Sequence, residues 1–425
     1  MKITAVIAEY NPFHKGHLYQ IQKAREVTGA DHIICIMSGD FVQRGTPAIT
    51  DKYTRAEMAL RGGADLVIEL PVCYCLSSIE NYAYGAVSLA DKLGAVDCLC
   101  FGAENADTKK LEKLAQYTLK EDNEALNRRI KEHLKQGKSY PLAMSDALIE
   151  TGLDVEDADI LKAPNNALGI YYIRALLKLH SDIKPLSVKR IISDHHDTEP
   201  GALSGSAIRK EIMSHKEALF DLCSLIPDSS LQILSSALNK SFPVHENDLS
   251  SILFYKLHSL YTLSLKQNTD RDRAKRKALS GYLDVSEDLS SRILNTYRKA
   301  SSFTDLCEKV KSRDMTYTRL CRCLMHILLD IDSRSMESRL SQGHYYARIL
   351  GLNRNAEDLM HTLKEHSLIP FISKLADHKS IVTDETGTAM LYEDIQAADL
   401  YESVAAWKFN RPFSYEYTKK IVLIN

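Results

Sequence analysis

Two histidines one helical turn apart, His14 and His17, stand in the run Glu9-Tyr10-Asn11-Pro12-Phe13-His14-Lys15-Gly16-His17. At that spacing both imidazoles can donate to the same phosphoryl oxygens as charge builds at an α-phosphorus. Gly16 lets the backbone approach a phosphate closely. A helix starting there would offer unpaired amides and the positive end of its dipole. A second run, Leu203-Ser204-Gly205-Ser206-Ala207-Ile208-Arg209, supplies two small hydroxyls and a guanidinium at another helix start. That set suits β- and γ-phosphates. Together the runs point to chemistry on a nucleoside triphosphate, with His14, His17 and Arg209 stabilising charge and Ser204 and Ser206 cradling the polyphosphate.

Other chemically capable residues admit two uses each. Asp40, in Ser38-Gly39-Asp40, is expected to face the same crevice, where it would hold a magnesium–water shell or orient an incoming amine; an Asx-turn in a tight loop is its plainer role. Lys15 and Arg44 can neutralise phosphate or be ordinary surface charges. Glu9 and Glu69 lie at strand ends, where a structural role suffices. His195-His196-Asp197 has metal-ligand types, but adjacent side chains point apart, which favours a plain or phosphate-binding loop. No direct metal ligand is assigned. Nine cysteines, an odd number without a CxxC, read as reduced, buried thiols of a cytosolic protein.

The elements that must position these groups are legible up to about residue 210. Apolar, β-branched runs at 2–9, 31–37, 64–70, 96–101 and 186–192 read as strands. Helical spacing fills 16–28, 52–61, 77–93 and 167–179, with Gly62-Gly63 closing the second of these. Strands alternating with helices predict a doubly wound parallel α/β sheet whose ligands lie at the strands' carboxyl ends. Both phosphate-type runs follow such strands. Beyond Ser204 strand signals thin, and amphipathic helical runs such as 248–264 and 317–332 dominate to about Arg348. The expected division is a catalytic domain over 1–210 and a mostly helical domain over 211–425, with a strand at 420–424.

Composition sets the class. At 425 residues, 44% hydrophobic and 26% charged, the chain can bury a large core and is neither fibrous nor disordered. Its apolar runs are too short for a membrane span, and the acid at Glu9 interrupts any secretory leader. The net charge of −2 hides an asymmetry, because residues 251–350 hold 18 lysines and arginines against 11 acids. The densest run includes Lys275, Arg276 and Lys277; a second cluster holds Arg313, Arg319 and Arg322 beside Tyr317. Such patches suit a phosphate backbone, although a charge run alone is also an ordinary solvated helix face.

The motif His14-Lys15-Gly16-His17 with Ser204 to Arg209 resembles the HxGH nucleotidyltransferase superfamily. Within it, Ala8 to His17, Met37-Ser38-Gly39-Asp40-Phe41-Val42-Gln43-Arg44-Gly45, Gly62 to Pro71, Phe101-Gly102-Ala103-Glu104 and Pro164 to Gly169 resemble the tRNA(Met) cytidine acetate ligase family. So do Met315 to Arg319 and Leu324 to Leu329. The resemblance implies a Rossmann-like domain that activates acetate with ATP and acetylates the exocyclic amine of the wobble cytidine of elongator tRNA(Met). It implies a nucleotide site over Ile7 to Gln20, including Ile7, Ala8, Glu9, Tyr10, Asn11, Pro12, Phe13 and Lys15, with Gly102, Asn165 and Arg190. ATP with Mg2+ and acetate would be the small substrates, and the basic helical part would grip tRNA in the cytoplasm. Two other readings share parts of the pattern: a small-molecule adenylyltransferase, and a non-catalytic RNA-binding protein on the same scaffold.

Overall fold

In a computed structural model the chain is described over residues 1–120, 124–138, 140–190, 204–214, 218–313 and 315–425. Among the described residues, ten strands are numbered in chain order: β1 (Ile3–Ala8), β2 (His32–Ser38), β3 (Phe41–Val42), β4 (Thr46–Pro47), β5 (Leu66–Leu70), β6 (Cys98–Ala103), β7 (Lys184–Lys189), β8 (Ala347–Asn353), β9 (Phe371–Ile372) and β10 (Val422–Ile424). Every residue of β1, β2 and β5 is buried, as parallel strands covered on both faces require. β1 runs parallel to β2, with Ile3 opposite His32 and Ala8 opposite Met37, and parallel to β6 on its other side. β3 and β4 form a separate two-stranded hairpin, Phe41 opposite Pro47.

The main sheet has the order β10-β8-β5-β2-β1-β6-β7, with β9 beside β8. From β1 the chain winds first to β2 and β5, then returns to β6 and β7 on the other side. The order therefore reverses between β1 and β6. In an open α/β sheet that reversal opens a crevice at the carboxyl ends of the two strands.

Alternation along the strands divides the interior into two cores. Ile3, Ala5 and Ile7 pack with Ala83, Ala86, Ile170 and Ile173 of the helices Ile79–Lys92 and Pro164–Leu179. Val6 and Ala8 face the opposite core, with Ile21 and Ala24 of the helix Lys15–Thr28 and Ala56 and Ala59 of the helix Lys52–Arg61. The expected strands and helices up to residue 190 are present within a few residues of their ends. Eight of the nine cysteines are buried. Among the described residues, no helix is long and apolar enough to cross a membrane.

The second half corrects one expectation. Helices fill most of 205–342, but the chain then re-enters the first sheet. β8 pairs antiparallel with β5, Leu66 opposite Leu352, and β10 adds parallel to β8. A division at residue 210 would therefore cut through the sheet, leaving β8, β9 and β10 on its far side. The physical reason is a buried ion cluster. Lys52 has 1% of its side chain exposed, and its Nζ lies 2.7 Å from Glu69 Oε1 and 2.7 Å from Glu416 Oε1. Arg348 of β8 reaches Glu416 at 2.5 Å and Glu69 at 3.4 Å. Burial alone would raise the Glu416 carboxyl, but Lys52 and Arg348 hold it down at about 2. The arginine in β8 thus pairs inside the protein, and the helical pattern expected to reach about Arg348 gives way to a strand at Ala347.

Candidate active site

The turn after β1 delivers the first motif to the crevice at the point of reversal. Tyr10 takes a left-handed conformation (φ 48) and buries its ring against Phe13, with centroids 4.9 Å apart. Its hydroxyl lies 3.2 Å from Cys35 Sγ of β2. The Asn11 side chain accepts the Ile49 amide at 2.7 Å, and Pro12 and Phe13 are buried behind it. This packing fixes His14 as the N-cap of the helix Lys15–Thr28, where it forms a reciprocal capping box with His17.

The capping box determines the protonation of both rings. Gly16 N donates to His14 Nδ1 at 3.1 Å, and His14 N donates to His17 Nδ1 at 3.2 Å. With each Nδ1 accepting, the neutral tautomer carries its proton on Nε2. The rings stack with centroids 3.7 Å apart and an interplanar angle of 23°. Burial, with Arg190 and Arg209 nearby, pushes His14 down to about 3; burial, with His14 and Arg190, pushes His17 well below the usual range. Two neutral N–H donors therefore stand side by side.

One expected feature of this helix start is corrected. Its first amides are already engaged: Lys15 N with Leu225 O at 2.8 Å, Gly16 N with His14 Nδ1, and His17 N with His14 O at 2.9 Å. Donors for a phosphate here must come from side chains, helped by the helix dipole. Lys15 itself is exposed, with Nζ 3.2 Å from Cys223 O.

The remaining cleft wall comes from the ends of β6 and β7, with the helix Pro164–Leu179 behind Arg190. His14, Gly16, His17, Gln20, Gly102 and Arg190 line a common cleft. A Cβ on Gly102 would lie 3.1 Å from Arg190 Cγ, so a side chain there would press on the arginine. Arg190 Nη1 donates to Asn165 Oδ1 at 3.1 Å, and Asn165 Nδ2 donates to Glu104 Oε1 at 2.5 Å. Glu104 Oε2 also accepts the Asn166 amide at 2.9 Å. Glu104 is the organiser that residue-by-residue reading passed over. Its signal was an acid closing the Phe-Gly-Ala run of β6.

The second motif docks onto the first. Arg209, on the helix Gly205–Ser214, donates from Nη1 to Asn11 O at 2.7 Å and from Nη2 to Ser206 Oγ at 3.2 Å. Ser204 Oγ accepts the Ala207 amide at 3.2 Å and so caps this helix. The His195-His196-Asp197 run lies outside the described residues.

Asp40 is not brought into this cleft, contrary to expectation. It is buried, and its Oδ1 accepts the Lys52 amide at 2.7 Å, with Lys52 Nζ 3.9 Å from Oδ2. Burial outweighs Lys52 and lifts its carboxyl to about 7. It serves the ion cluster beneath the crevice because the chain turns at once into the β3–β4 hairpin. Arg44, on that hairpin, is exposed and close enough to Arg209 to lower its proton affinity.

The basic residues of the helical part differ among themselves. On the helix Arg271–Leu279, Arg276 is exposed, Lys277 pairs with Glu287 at 2.5 Å, and Lys275 lies 3.6 Å from Asp272. Arg319 is exposed on the helix Tyr317–Leu328. Arg322 is half-buried, with Nη1 3.5 Å from Gln43 O and its Nε without a partner among the described residues. It seats the hairpin on that helix rather than standing free as a surface charge.

A cleft at the reversal of a parallel sheet, lined by a His-x-Gly-His helix start, is shared with known proteins. The family model described as HIGH Nucleotidyl Transferase matches residues 1–414. A tRNA(Met) cytidine acetate ligase from Clostridium novyi is 36% identical over 419 residues, covering 98% of this chain and 97% of that one. One from Acetivibrio thermocellus is 37% identical and covers both chains fully. The chain belongs to the tRNA(Met) cytidine acetate ligase family of HIGH nucleotidyl transferases. Among solved structures of similar proteins, Thermotoga maritima TmcAL bound with alpha-thio ATP aligns with a TM-score of 0.86 at 27% identity, and the apo form with 0.87 at 28%. Both cover the whole of each chain. The HIGH motif of this nucleotidyl transferase is His14 to His17, and its helical half belongs to the same alignment.

Proposed function

We infer that this chain is an ATP-dependent ligase that activates acetate as acetyl-adenylate and acetylates the exocyclic amine of the wobble cytidine of elongator tRNA(Met). The observation that carries the reading is the stacked, neutral His14–His17 pair at the sheet reversal, sharing the cleft with Arg190 and with Arg209 close enough to lower the proton affinity of His14. That donor set suits an α-phosphate gaining charge. The acetate oxygen attacks the α-phosphorus, pyrophosphate departs, and the histidine Nε2–H groups and guanidiniums stabilise the charge that develops. The resulting mixed anhydride has AMP as leaving group, so a weakly nucleophilic cytosine amine can take the acetyl group without a covalent enzyme intermediate.

Magnesium enters as part of the MgATP substrate. The cleft presents imidazole and guanidinium donors rather than a carboxylate cage, and among the described residues no group of three or more His, Cys, Asp or Glu side chains is arranged to hold a metal. Ser204, Ser206 and Arg209 flank the polyphosphate, and Gly102 and Asn165 the nucleoside. Arg276 and Arg319, with Lys275 and Lys277, contribute to holding the tRNA backbone in the cytoplasm. The test is incubation with ATP, labelled acetate and bulk tRNA. Acid-stable label in tRNA(Met), with AMP and pyrophosphate released, is the expected result. AMP transferred to a small phosphate compound, with unlabelled tRNA, would favour an ordinary adenylyltransferase.

A further inference from the structure

Activation of acetate leaves the second half-reaction without a group to take the proton from the attacking amine. Four carboxylates lie at or just after the carboxyl ends of the central strands: Glu9 after β1, Asp40 after β2, Glu69 in β5 and Glu104 after β6. Three of them are committed. Asp40 holds the Lys52 amide, Glu69 pairs with Lys52 and Arg348, and Glu104 spends both oxygens on Asn165 and Asn166. Glu9 differs. It is half-buried; its Oε1 accepts the Gln43 amide at 2.8 Å, and its Oε2 has no partner among the described residues.

Its direction is set by the strand. Ile3, Ala5 and Ile7 alternate onto one sheet face, and Glu9 continues that series, whereas Tyr10 and Phe13 join the other core and hold His17 at 4.9 and 5.7 Å. The histidines thus approach the crevice from one side of the sheet edge and Glu9 from the other. Its charge is felt by Arg209, and by the buried phenols of Tyr82 and Tyr172 on the helices covering the first face. A nucleotide phosphate on the histidines would leave its acyl group between the two sides.

We propose that Glu9 is the general base of acetyl transfer, its free carboxylate oxygen accepting a proton from the cytosine exocyclic amine as that nitrogen attacks the acetyl carbonyl. The proposal rests on the function inferred above. The N–C bond forms, the acyl C–O bond to phosphate breaks, its electron pair leaves with AMP, and the amine proton passes to Glu9. The backbone amide of Gln43 orients the carboxylate through its other oxygen, so the hairpin that packs on the helix Tyr317–Leu328 also aims the base.

Glu9→Gln keeps the size and an acceptor for Gln43 while removing basicity. Single-turnover acetyl transfer to tRNA should fall by about 10²-fold or more, the usual contribution of a positioned base. Acetate-dependent pyrophosphate exchange should fall at least about ten-fold less than transfer does, and tRNA affinity should stay within about three-fold. Hydroxylamine, which needs no base, should still capture the acetyl group as acetohydroxamate. Glu9→Asp, which retains basicity on a shorter arm, should recover part of the transfer rate. Equal loss in both half-reactions would assign Glu9 to the ATP site and overturn the proposal, as would transfer by Glu9→Gln at the parental rate. If the parent protein forms acetyl-adenylate yet never labels tRNA, the functional reading fails and this inference falls with it.

Discussion

In the proposed reaction His14 and His17 would owe their usefulness to being unable to take a second proton. An imidazolium would pair with phosphate in the ground state as well as in the transition state, whereas a fixed neutral Nε2–H gains most when charge develops. Replacing either by Ala should lower acetate-dependent pyrophosphate exchange by about 10²–10³-fold with little change in melting temperature. The lowered proton affinity has a second outcome. Below pH 6.5 the unfolded chain protonates these imidazoles while the folded chain refuses the proton until about pH 3 at His14. The unfolded state binds more protons, so folding stability declines as pH falls through that window. A His14→Asn variant should therefore lose less melting temperature than the parent between pH 6.5 and 4.5. An equal loss in thermal melts would mean that His14 is charged in the fold.

At the scale of elements, the β3–β4 hairpin couples the two halves through an approach too close for a side chain. At Gly45 (φ +77) an added Cβ would lie 2.3 Å from Arg322 N and 2.6 Å from Cys321 C. Gly45→Ala should cost about 1–3 kcal/mol in denaturant unfolding, and should weaken tRNA acetylation more than adenylate formation. The helix Arg271–Leu279 is a separate case. Replacing Lys275, Arg276 and Lys277 together by Gln should reduce the slope of log affinity for tRNA against log salt by about 0.7–0.9 for each phosphate no longer neutralised. Pyrophosphate exchange should remain within about three-fold; an unchanged salt slope would make this helix an ordinary solvated face. The two-residue β3 and β4 are too short to carry a signal, but β1, β2 and β5 are legible in sequence because each is a short, largely apolar run ended near Gly or Pro, and the helix Lys15–Thr28 has one apolar stripe. Two later elements are not. β8 carries Arg348, whose buried partners lie in distant segments, and the helix Glu385–Lys408 buries residues such as Met390, Leu391, Ile395, Ala398 and Ala405 around much of its surface. A helix covered on several sides has no stripe to read. Asp40 escapes a sequence reading for the reason that hides β8: local sequence puts it at a strand end but cannot reveal that Lys52 lies beneath it.

At the scale of the whole molecule, the ion cluster closes the sheet. Glu416→Gln would leave Lys52 and Arg348 sharing Glu69, with Asp40 3.9 Å from Lys52, and breaking such a buried pair typically costs about 3–5 kcal/mol. Chemical denaturation should register that loss as a lower midpoint, while Lys419→Gln, whose Nζ lies 3.7 Å from Glu402, should stay within about 1 kcal/mol. A fragment ending at residue 210 keeps the His14–His17 motif but exposes the free edge of β5 and leaves Lys52 without Glu416. It should show no cooperative melt; a sharp transition in calorimetry would mean the first half folds alone.

The pairing of Leu66 with Leu352 also orders events in time. During synthesis β5 emerges early, and its neighbour β8 cannot reach it until nearly the whole helical half has been made. The crevice that would generate a reactive acyl anhydride thus gains its final support only after the segments bearing Arg276 and Arg319 already exist. A ribosome that stalls midway yields a chain whose sheet has an open edge, a target for chaperones and proteases. Cells carrying such a gene would then be guarded against stray acylation by the order of translation itself.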